Sequence, residues 1–227
     1  MFIVQEYLES LLSIMKKDFG DRLLYMGLQG SYLRGEATED SDIDIMAVIR
    51  DFSVSYMVLY KKAIESLETP EKSCGFICGA DEIKNWNPLE ICHLLNTTKD
   101  YYGCLSDLVP AYSDSDVRAF VKMSLGNLYH EVCHRFIHRP LHRSAEALPY
   151  TYKAVFFILQ NLHYLEKGTF IGTKKELLKA LFGKDKQVLE TALAYGRGEA
   201  VDFDSAFNLL FAWMKEALIR TSLSEQY

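Results

Sequence analysis

Two aspartates and a Gly-Ser pair are the residues of this chain best suited to chemistry. Gly30-Ser31 ends one apolar run, a short polar loop follows, and Asp42 and Asp44 open the next apolar run. Residues i and i+2 of a strand point to the same face, so we expect the two carboxylates side by side. Their repulsion would be relieved by a divalent cation. Mg²⁺ suits this arrangement, because proteins often hold it with one or two carboxylates and substrate phosphates.

Gly30-Ser31 supplies the other half of such a site. A glycine lets the backbone approach a ligand closely, and backbone N–H groups in such a turn, or at the start of a following helix, bind phosphate oxygens. The combination predicts a site for a metal ion and a nucleotide. The alternative is an acidic surface hairpin, because short motifs also arise by chance.

The elements before residue 110 must position these groups. Apolar residues at helical spacing predict one helix from Ile3 to Asp18 and another from Ser53 to Leu67. A further helix is predicted to start at Asn87-Pro88, since proline is tolerated in the first turn. Short apolar runs predict strands over residues 23–28, 43–49 and 75–78. The pattern predicts a small domain with helices and strands over residues 1–110.

Every strong pattern after residue 110 is helical. An apolar stripe from Val117 to Phe136 predicts a first helix, and Tyr152 to Lys167 a second. Thr173 and Glu176 form a capping-box pattern for a third helix, which we expect Gly183 to end. Residues 187–195 and 205–223 predict two more helices. Residues 111–227 are therefore predicted to form an all-helical bundle domain.

Charge and composition limit the classes of binding partner that the sequence favours. The chain has 227 residues, of which 25 are basic and 31 acidic, so its net charge is −6. This balance argues against a long nucleic acid as partner and is compatible with a cationic small substrate. No membrane span or signal peptide is apparent, which predicts a cytoplasmic protein. The five cysteines are odd in number and irregularly spaced, so we expect reduced, mostly buried thiols.

The motif around Gly30-Ser31 and Asp42-Ile43-Asp44 resembles the signature of the DNA polymerase β-like nucleotidyltransferase superfamily. The resemblance implies that Asp42 and Asp44 are catalytic and hold one or two Mg²⁺ ions. It also implies that Gly30 and Ser31 seat the β- and γ-phosphates of ATP or another nucleoside triphosphate.

Arg34-Gly35 and Ser41 resemble the variant of this signature in bacterial enzymes that modify small molecules. Arg34 and Ser41 would then add charge or hydrogen bonds to the nucleotide. The implied fold is α+β, with a small mixed-sheet nucleotidyltransferase domain followed by the helical bundle. The implied reaction transfers a nucleoside monophosphate, with AMP favoured, to a hydroxyl and releases pyrophosphate.

A second resemblance lies in the helical half. Residues 168–177, followed by Ala194-Tyr195-Gly196, are similar to the C-terminal domain of streptomycin/spectinomycin-type aminoglycoside adenylyltransferases. In that family a lysine and a tyrosine at the matching places contact the triphosphate, which implies this role for Lys174 and Tyr195. The acceptor would then be an aminoglycoside-like polycation, as in antibiotic resistance. The alternatives are a solvated surface lysine and a core aromatic.

The general base is not identified by the sequence. The superfamily usually places another carboxylate on its third strand, whereas residues 73–78 contain none. The remaining candidates are Glu71, Asp81, Glu82 and Glu90. The missing acid keeps a non-catalytic, nucleotide-binding regulatory module open, and a protein hydroxyl, as in AMP-transferring antitoxins, is an alternative acceptor.

A competing motif lies at His130-Glu131-Val132-Cys133-His134, which matches the zinc metalloprotease pattern. His138 continues the four-residue spacing. At about 100° per residue the histidines lie opposite the apolar stripe of their helix, so we expect them to face away from the bundle core. A protease also needs a third ligand, and no companion signature follows. A zinc protease is therefore a remote alternative, and adventitious binding of zinc or nickel is favoured over catalysis.

Overall fold

The computed structural model describes residues 3–223, which divide into two compact units between Tyr112 and Ser113. The first unit contains strands β1 to β4 at Leu23–Leu28, Ile43–Ile49, Ser73–Gly79 and Lys99–Tyr102. Its helices α1 to α5 are Val4–Phe19, Gly30–Arg34, Val54–Glu65, Ala80–Lys84 and Pro88–Asn96. The second unit contains α6 to α10, at Asp114–His138, Leu141–Lys167, Lys174–Ala180, Gly183–Gly196 and Phe203–Leu223.

The sheet of the first unit is mixed. Its strand order is β3-β2-β1-β4, in which β1 is antiparallel to both β2 and β4, while β2 and β3 are parallel. The predicted α+β fold class, with a small mixed sheet followed by a helical region, is confirmed. The sequence patterns did not predict α2, α4 or β4, which have only four or five residues and no apolar period.

Strand β2 is central in the sheet and buried on both faces. Ile43, Ile45 and Ile49 pack in one apolar cluster with α1, and Met46 and Val48 pack in a second cluster on the opposite face. The nearly continuous apolar run of this strand follows from this two-sided burial. Because both faces are packed, the backbone of β2 has a fixed position. This fixes the backbone of Asp44, the second residue of the strand.

The second unit buries one apolar face of each long helix in a common core. Trp213 is buried in this core, and its Nε1 donates a hydrogen bond of 2.7 Å to Asp185 Oδ1. Two predicted boundaries were wrong here. Helix α7 starts at Leu141 rather than at the predicted Tyr152, and it contains Pro149. Helix α8 ends at Ala180, since Leu181 turns to extended backbone and is buried, and Gly183 begins α9 instead.

Two other sequence expectations can be compared with the structure. All five cysteines are free thiols; Cys78 and Cys92 are buried, but Cys74 and Cys104 are exposed, so the expectation of mostly buried thiols was wrong. Across residues 3–223, the structure has no helix with the length and apolar character that a membrane crossing requires.

A substitution at Gly75 would test how tightly β3 packs against β2. Gly75 lies on β3 opposite Ile45 with φ +133°, and a Cβ there would lie 2.0 Å from the Ile45 carbonyl oxygen. Because β2 cannot move aside, we expect Gly75→Ala to lower the free energy of unfolding by about 2–3 kcal/mol. Urea denaturation followed by circular dichroism measures this change.

Gly126 provides the control, because it lies inside α6 and nothing stands within 4 Å of an added Cβ. Gly126→Ala should raise the free energy of unfolding by about 0.5–1 kcal/mol, since alanine favours the helix. Similar losses of stability in both variants would contradict the close packing of Gly75.

Candidate active site

Gly30 and Asp44 are in direct contact at one end of the sheet. Gly30 is the first residue of α2, and only Gln29 separates it from β1. The backbone N–H of Gln29 donates a hydrogen bond of 2.8 Å to the Asp44 carbonyl. Gly30 has φ +70°, and a Cβ built on it would lie 1.7 Å from Asp44 Oδ2. Any side chain at this position would displace the Asp44 carboxylate and would be strained by the positive φ. The Asp44 carboxylate therefore lies against the start of a helix, whose first N–H groups have no carbonyl partner within it.

Asp42 and Asp44 differ in their surroundings. Asp44 is the second residue of β2 and half-buried, while Asp42 is exposed and lies just before the strand. Burial is the main cause that raises the pKa of Asp44, and the Asp42 charge raises it further. A hydrogen bond with Cys74 and the Arg34 cation lower that pKa. The two carboxylates are thus close enough to repel each other, although only Asp44 belongs to the strand.

These two carboxylates fit a divalent cation of the Mg²⁺ type. Their oxygen atoms are the ligands that Mg²⁺ prefers, and a cation would offset both the partial burial of Asp44 and the charge of Asp42. Two carboxylates are also the number that proteins commonly provide when substrate phosphates supply further oxygens. The donor set and its electrostatics agree with the sequence prediction, whose residue assignments stay proposals.

Cys74 lies beside Asp44 on the third strand. The parallel register of β2 and β3 pairs the two residues, and the thiol forms a hydrogen bond with the carboxylate. Although Cys74 is exposed as a residue, partial desolvation of its thiol and then the charge of Asp44 raise the pKa of Cys74, so the neutral thiol is favoured. Sequence reasoning missed this residue, because a single cysteine forms no motif and its neighbour is known only from the strand register.

Arg34 and Ser41 have partners close to the site. Arg34 Nε lies 2.9 Å from Glu36 Oε2, and its side chain is only 15% exposed. Its charge reaches both Asp44 and His93. The Ser41 hydroxyl accepts a hydrogen bond of 2.8 Å from the backbone N–H of Thr38, so it closes the loop before Asp42. Arg34 and Ser41 therefore already stabilise this loop and helix, and the predicted contacts with a nucleotide would be additional to these interactions.

Two candidates for the general base, Asp81 and Glu82, lie far from the aspartates because of the direction of β3. Asp81 and Glu82 follow Gly79, which pairs with Ile49 at the far end of the strand. Gly79 lies five positions after Cys74 along the strand, or about 16 Å at about 3.3 Å per residue. The structure therefore does not bring Asp81 and Glu82 to the candidate site.

The other two base candidates are placed differently. Glu90 Oε2 accepts a hydrogen bond of 2.7 Å from Trp86 Nε1, which gives this carboxylate a structural partner. Glu71 precedes β3 at its Ser73 end, which is the end that pairs with the start of β2. Glu71 is thus the candidate at the correct end of the sheet, although the charges that act on Asp44 are those of Asp42 and Arg34.

The predicted nucleotide ligands of the second unit have contacts within that unit. Lys174 is the first residue of α8, and its Nζ lies 5.7 Å from the centre of the Phe156 ring. Thr173 caps this helix, since its hydroxyl accepts from the backbone N–H of Glu176. The Tyr195 ring lies 5.3 Å from that of Tyr152 and packs against the core.

The zinc protease hypothesis gains no support from side-chain geometry. Among residues 3–223, no group of three or more His, Cys, Asp or Glu side chains is arranged to hold a metal ion. His130, His134 and His138 are exposed on α6, as predicted.

Comparisons with known proteins agree with this geometry. Residues 8–77, which include Gly30, Asp42 and Asp44, match the family model described as a nucleotidyltransferase domain. A stretch of 43 residues, or 18% of the chain, is 49% identical to the protein adenylyltransferase MntA of Thermococcus cleftensis. The match spans only 43% of that relative's length.

The fold resembles a solved structure over nearly the whole chain. The spectinomycin adenyltransferase AAD(9) from Enterococcus faecialis, solved with ATP and spectinomycin, is matched with a TM-score of 0.61. The match covers 95% of this chain and 99% of that chain, at 15% sequence identity. The likeness shows that both halves, the sheet and the helices, have a counterpart in that fold.

Gly30 should be sensitive to any side chain if the site binds a metal–nucleotide complex. Gly30→Ala would push the Asp44 carboxylate away, so we expect the affinity for Mg·ATP, measured by titration calorimetry, to fall at least tenfold. Gly35 is a matched control, because it ends the same helix with φ +68° but has nothing within 4 Å of an added Cβ. Equal losses in Gly30→Ala and Gly35→Ala would show that backbone strain alone is responsible.

His93 should make stability depend on pH. Burial, and then the Arg34 charge, lower the pKa of His93 to about 4, whereas an unfolded histidine titrates near 6.5. Between these values the unfolded chain binds more protons, so the free energy of unfolding falls as the pH is lowered from 6.5 to 4. The His93 contribution to this loss is about 2–3 kcal/mol.

We expect His93→Gln to flatten this part of the pH profile, measured by urea denaturation from pH 7.5 to 4.5. His142→Gln, at an exposed histidine of the second unit, should keep the wild-type slope. An unchanged slope in His93→Gln would contradict the assignment of this acid sensitivity to His93.

Proposed function

We propose that this chain, whose residues 8–77 form a nucleotidyltransferase domain of the DNA polymerase β-like superfamily, transfers AMP from ATP to a hydroxyl of a small polycationic molecule. The observation that carries the proposal is the contact between Gly30 and the Asp44 carboxylate. It joins a helix start, where backbone N–H groups can bind phosphate oxygens, to the acid that would hold the metal ion. A cytoplasmic location is part of the proposal.

The roles of the residues follow from their positions. Asp42 and Asp44 would hold one or two Mg²⁺ ions, which when bound supply positive charge to the triphosphate and to the reacting oxygens. The backbone at Gly30 and Ser31 would bind the β- and γ-phosphates, and Arg34 would add a positive charge nearby. Transfers of this kind depend mainly on positioning and electrostatics, so few side chains suffice.

The reaction forms one bond and breaks one. The acceptor hydroxyl oxygen bonds to the α-phosphorus of ATP, and the bond from that phosphorus to the bridging oxygen breaks, releasing pyrophosphate. The hydroxyl proton passes to a base or to water. Glu71 is the proposed base among the four candidates, because it lies at the Ser73 end of β3.

The proposed class of acceptor, a small molecule, rests on the length of the chain and on its helical unit. Because 43 residues make up 43% of the Thermococcus cleftensis relative, that protein is about 100 residues long, less than half of this chain. The likeness to the spectinomycin enzyme instead extends through the helical unit, which supports a small acceptor. The net charge of −6 is compatible with a polycation. The roles of Lys174 and Tyr195 towards the triphosphate rest on the sequence resemblance alone.

A protein hydroxyl is the second candidate acceptor. It is favoured by the 49% identity to a protein adenylyltransferase, which extends over 43 residues or 18% of the chain. A regulatory module that binds nucleotide without turnover is the third hypothesis, motivated by the thiol of Cys74 beside Asp44.

One assay separates the three hypotheses. The protein is incubated with Mg²⁺, labelled ATP and a panel that contains spectinomycin, other aminoglycosides and a protein extract. We expect pyrophosphate release that depends on a small acceptor and that Asp42→Asn or Asp44→Asn lowers at least about 100-fold, since each removes a metal ligand. Asp40→Asn removes an exposed charge from the same loop and should leave the rate within about twofold.

The other outcomes each identify a different function. Label transferred to a protein, with no response to small acceptors, would support the protein acceptor. Tight binding of Mg·ATP without turnover for any acceptor would support the regulatory module. Zinc-dependent peptide cleavage lost in His134→Ala would contradict all three.

A further inference from the structure

Three histidines form a row along helix α6. His130, His134 and His138 follow one another at intervals of four residues, and all three side chains are exposed. Their ring centres are 5.9 Å apart for His130 and His134 and 4.9 Å apart for His134 and His138. Because four residues span about one helical turn, neighbouring members of this histidine row lie on one side of the helix.

The surroundings leave these rings available for a ligand. In the part of the chain that the structure describes, no hydrogen bond or ion pair joins any of the three rings to another group. The charges nearest along the helix compensate each other, since Arg135 Nη1 lies 2.8 Å from Glu131 Oε1. Val132 is only 4% exposed on the opposite side, which anchors α6 in the core and fixes the scaffold of the row.

The chemistry of imidazole selects the ligand. Neutral imidazole nitrogens bind Zn²⁺, Ni²⁺ and Cu²⁺ well, whereas Mg²⁺ prefers oxygen atoms. Two histidines at positions i and i+4 of a helix can hold one such ion. The negative end of the α6 dipole lies at His138 and also favours a cation.

We propose that the histidine row binds one divalent transition-metal ion through two neighbouring imidazoles, with His134 common to both possible pairs. His134 and His138, whose rings are closer, form the preferred pair. No third protein ligand joins them within residues 3–223, so water completes the coordination. The site differs from the proposed Mg²⁺ site in its ligand atoms and in the unit that carries it. A bound ion links consecutive helical turns and stabilises the end of α6.

Zn²⁺ titration of the untagged full chain in buffer with excess Mg²⁺ tests this site. Calorimetry should show micromolar binding to the wild-type protein, and the midpoint of thermal unfolding should rise with Zn²⁺. His134→Ala should weaken Zn²⁺ binding at least tenfold, because it destroys both pairs. His130→Ala and His138→Ala should each cost less than tenfold, since each leaves one pair. His142→Ala, an exposed histidine outside the row, should change nothing.

Controls separate this site from other metal ligands of the chain. Cys74→Ser and Asp44→Asn should retain Zn²⁺ binding, and circular dichroism should show that His134→Ala is folded. Unchanged affinity in His134→Ala would overturn the proposal, as would equal loss in Cys74→Ser. The transfer assay with Mg²⁺ should be unaffected by His134→Ala, so failure of the histidine site and failure of the proposed function are distinguishable.

Discussion

The close approach of Gly30 to Asp44 is the constraint on which the rest of the candidate site depends. The carboxylate occupies space that any other residue at position 30 would fill, with Oδ2 only 1.7 Å from an ideal Cβ. The backbones of the two residues cannot separate, because β2 is packed on both faces and the Gln29 amide is bound to the Asp44 carbonyl. A negative group is thereby held beside backbone donors. A cation would pair with the carboxylate, and a phosphate would accept hydrogen bonds from the backbone N–H groups. The contact therefore favours a metal–nucleotide complex over a metal ion alone or a phosphate alone.

The sequence predicted the elements that bury a periodic apolar face. Helix α1 and strands β1 and β2 were located to within one or two residues, since each contributes several side chains to a core. The short elements α2, α4 and β4 lack such a face, and their existence depends on neighbouring strands rather than on their own residues. Helix α7 also extends beyond its predicted start at Tyr152 and contains Pro149, a residue that locally disfavours a helix.

The residues of the candidate site likewise differ in whether the sequence alone could predict them. Gly30 and the two aspartates could be proposed from the motif, because their spacing along one hairpin determines that they meet. Cys74 and His93 could not, since their proximity to the site depends on the parallel register of β3 and on the position of Arg34. Asp81 and Glu82 were proposed from their closeness in sequence to β3. The strand direction places them at its opposite end, so separation along the chain was a poor guide to distance in space.

The thiol at Cys74 has a consequence for the proposed transfer. A carboxylate beside Asp44 would add a third negative charge and could accept a proton, whereas a thiol whose pKa is raised by partial desolvation and by the Asp44 charge stays neutral. Such a thiol is a hydrogen-bond donor and a poor base. In the proposed transfer, the acceptor proton must therefore leave through another group. A triphosphate site with two carboxylates and a neutral third position thus requires that acceptor activation be supplied outside the β2–β3 pair.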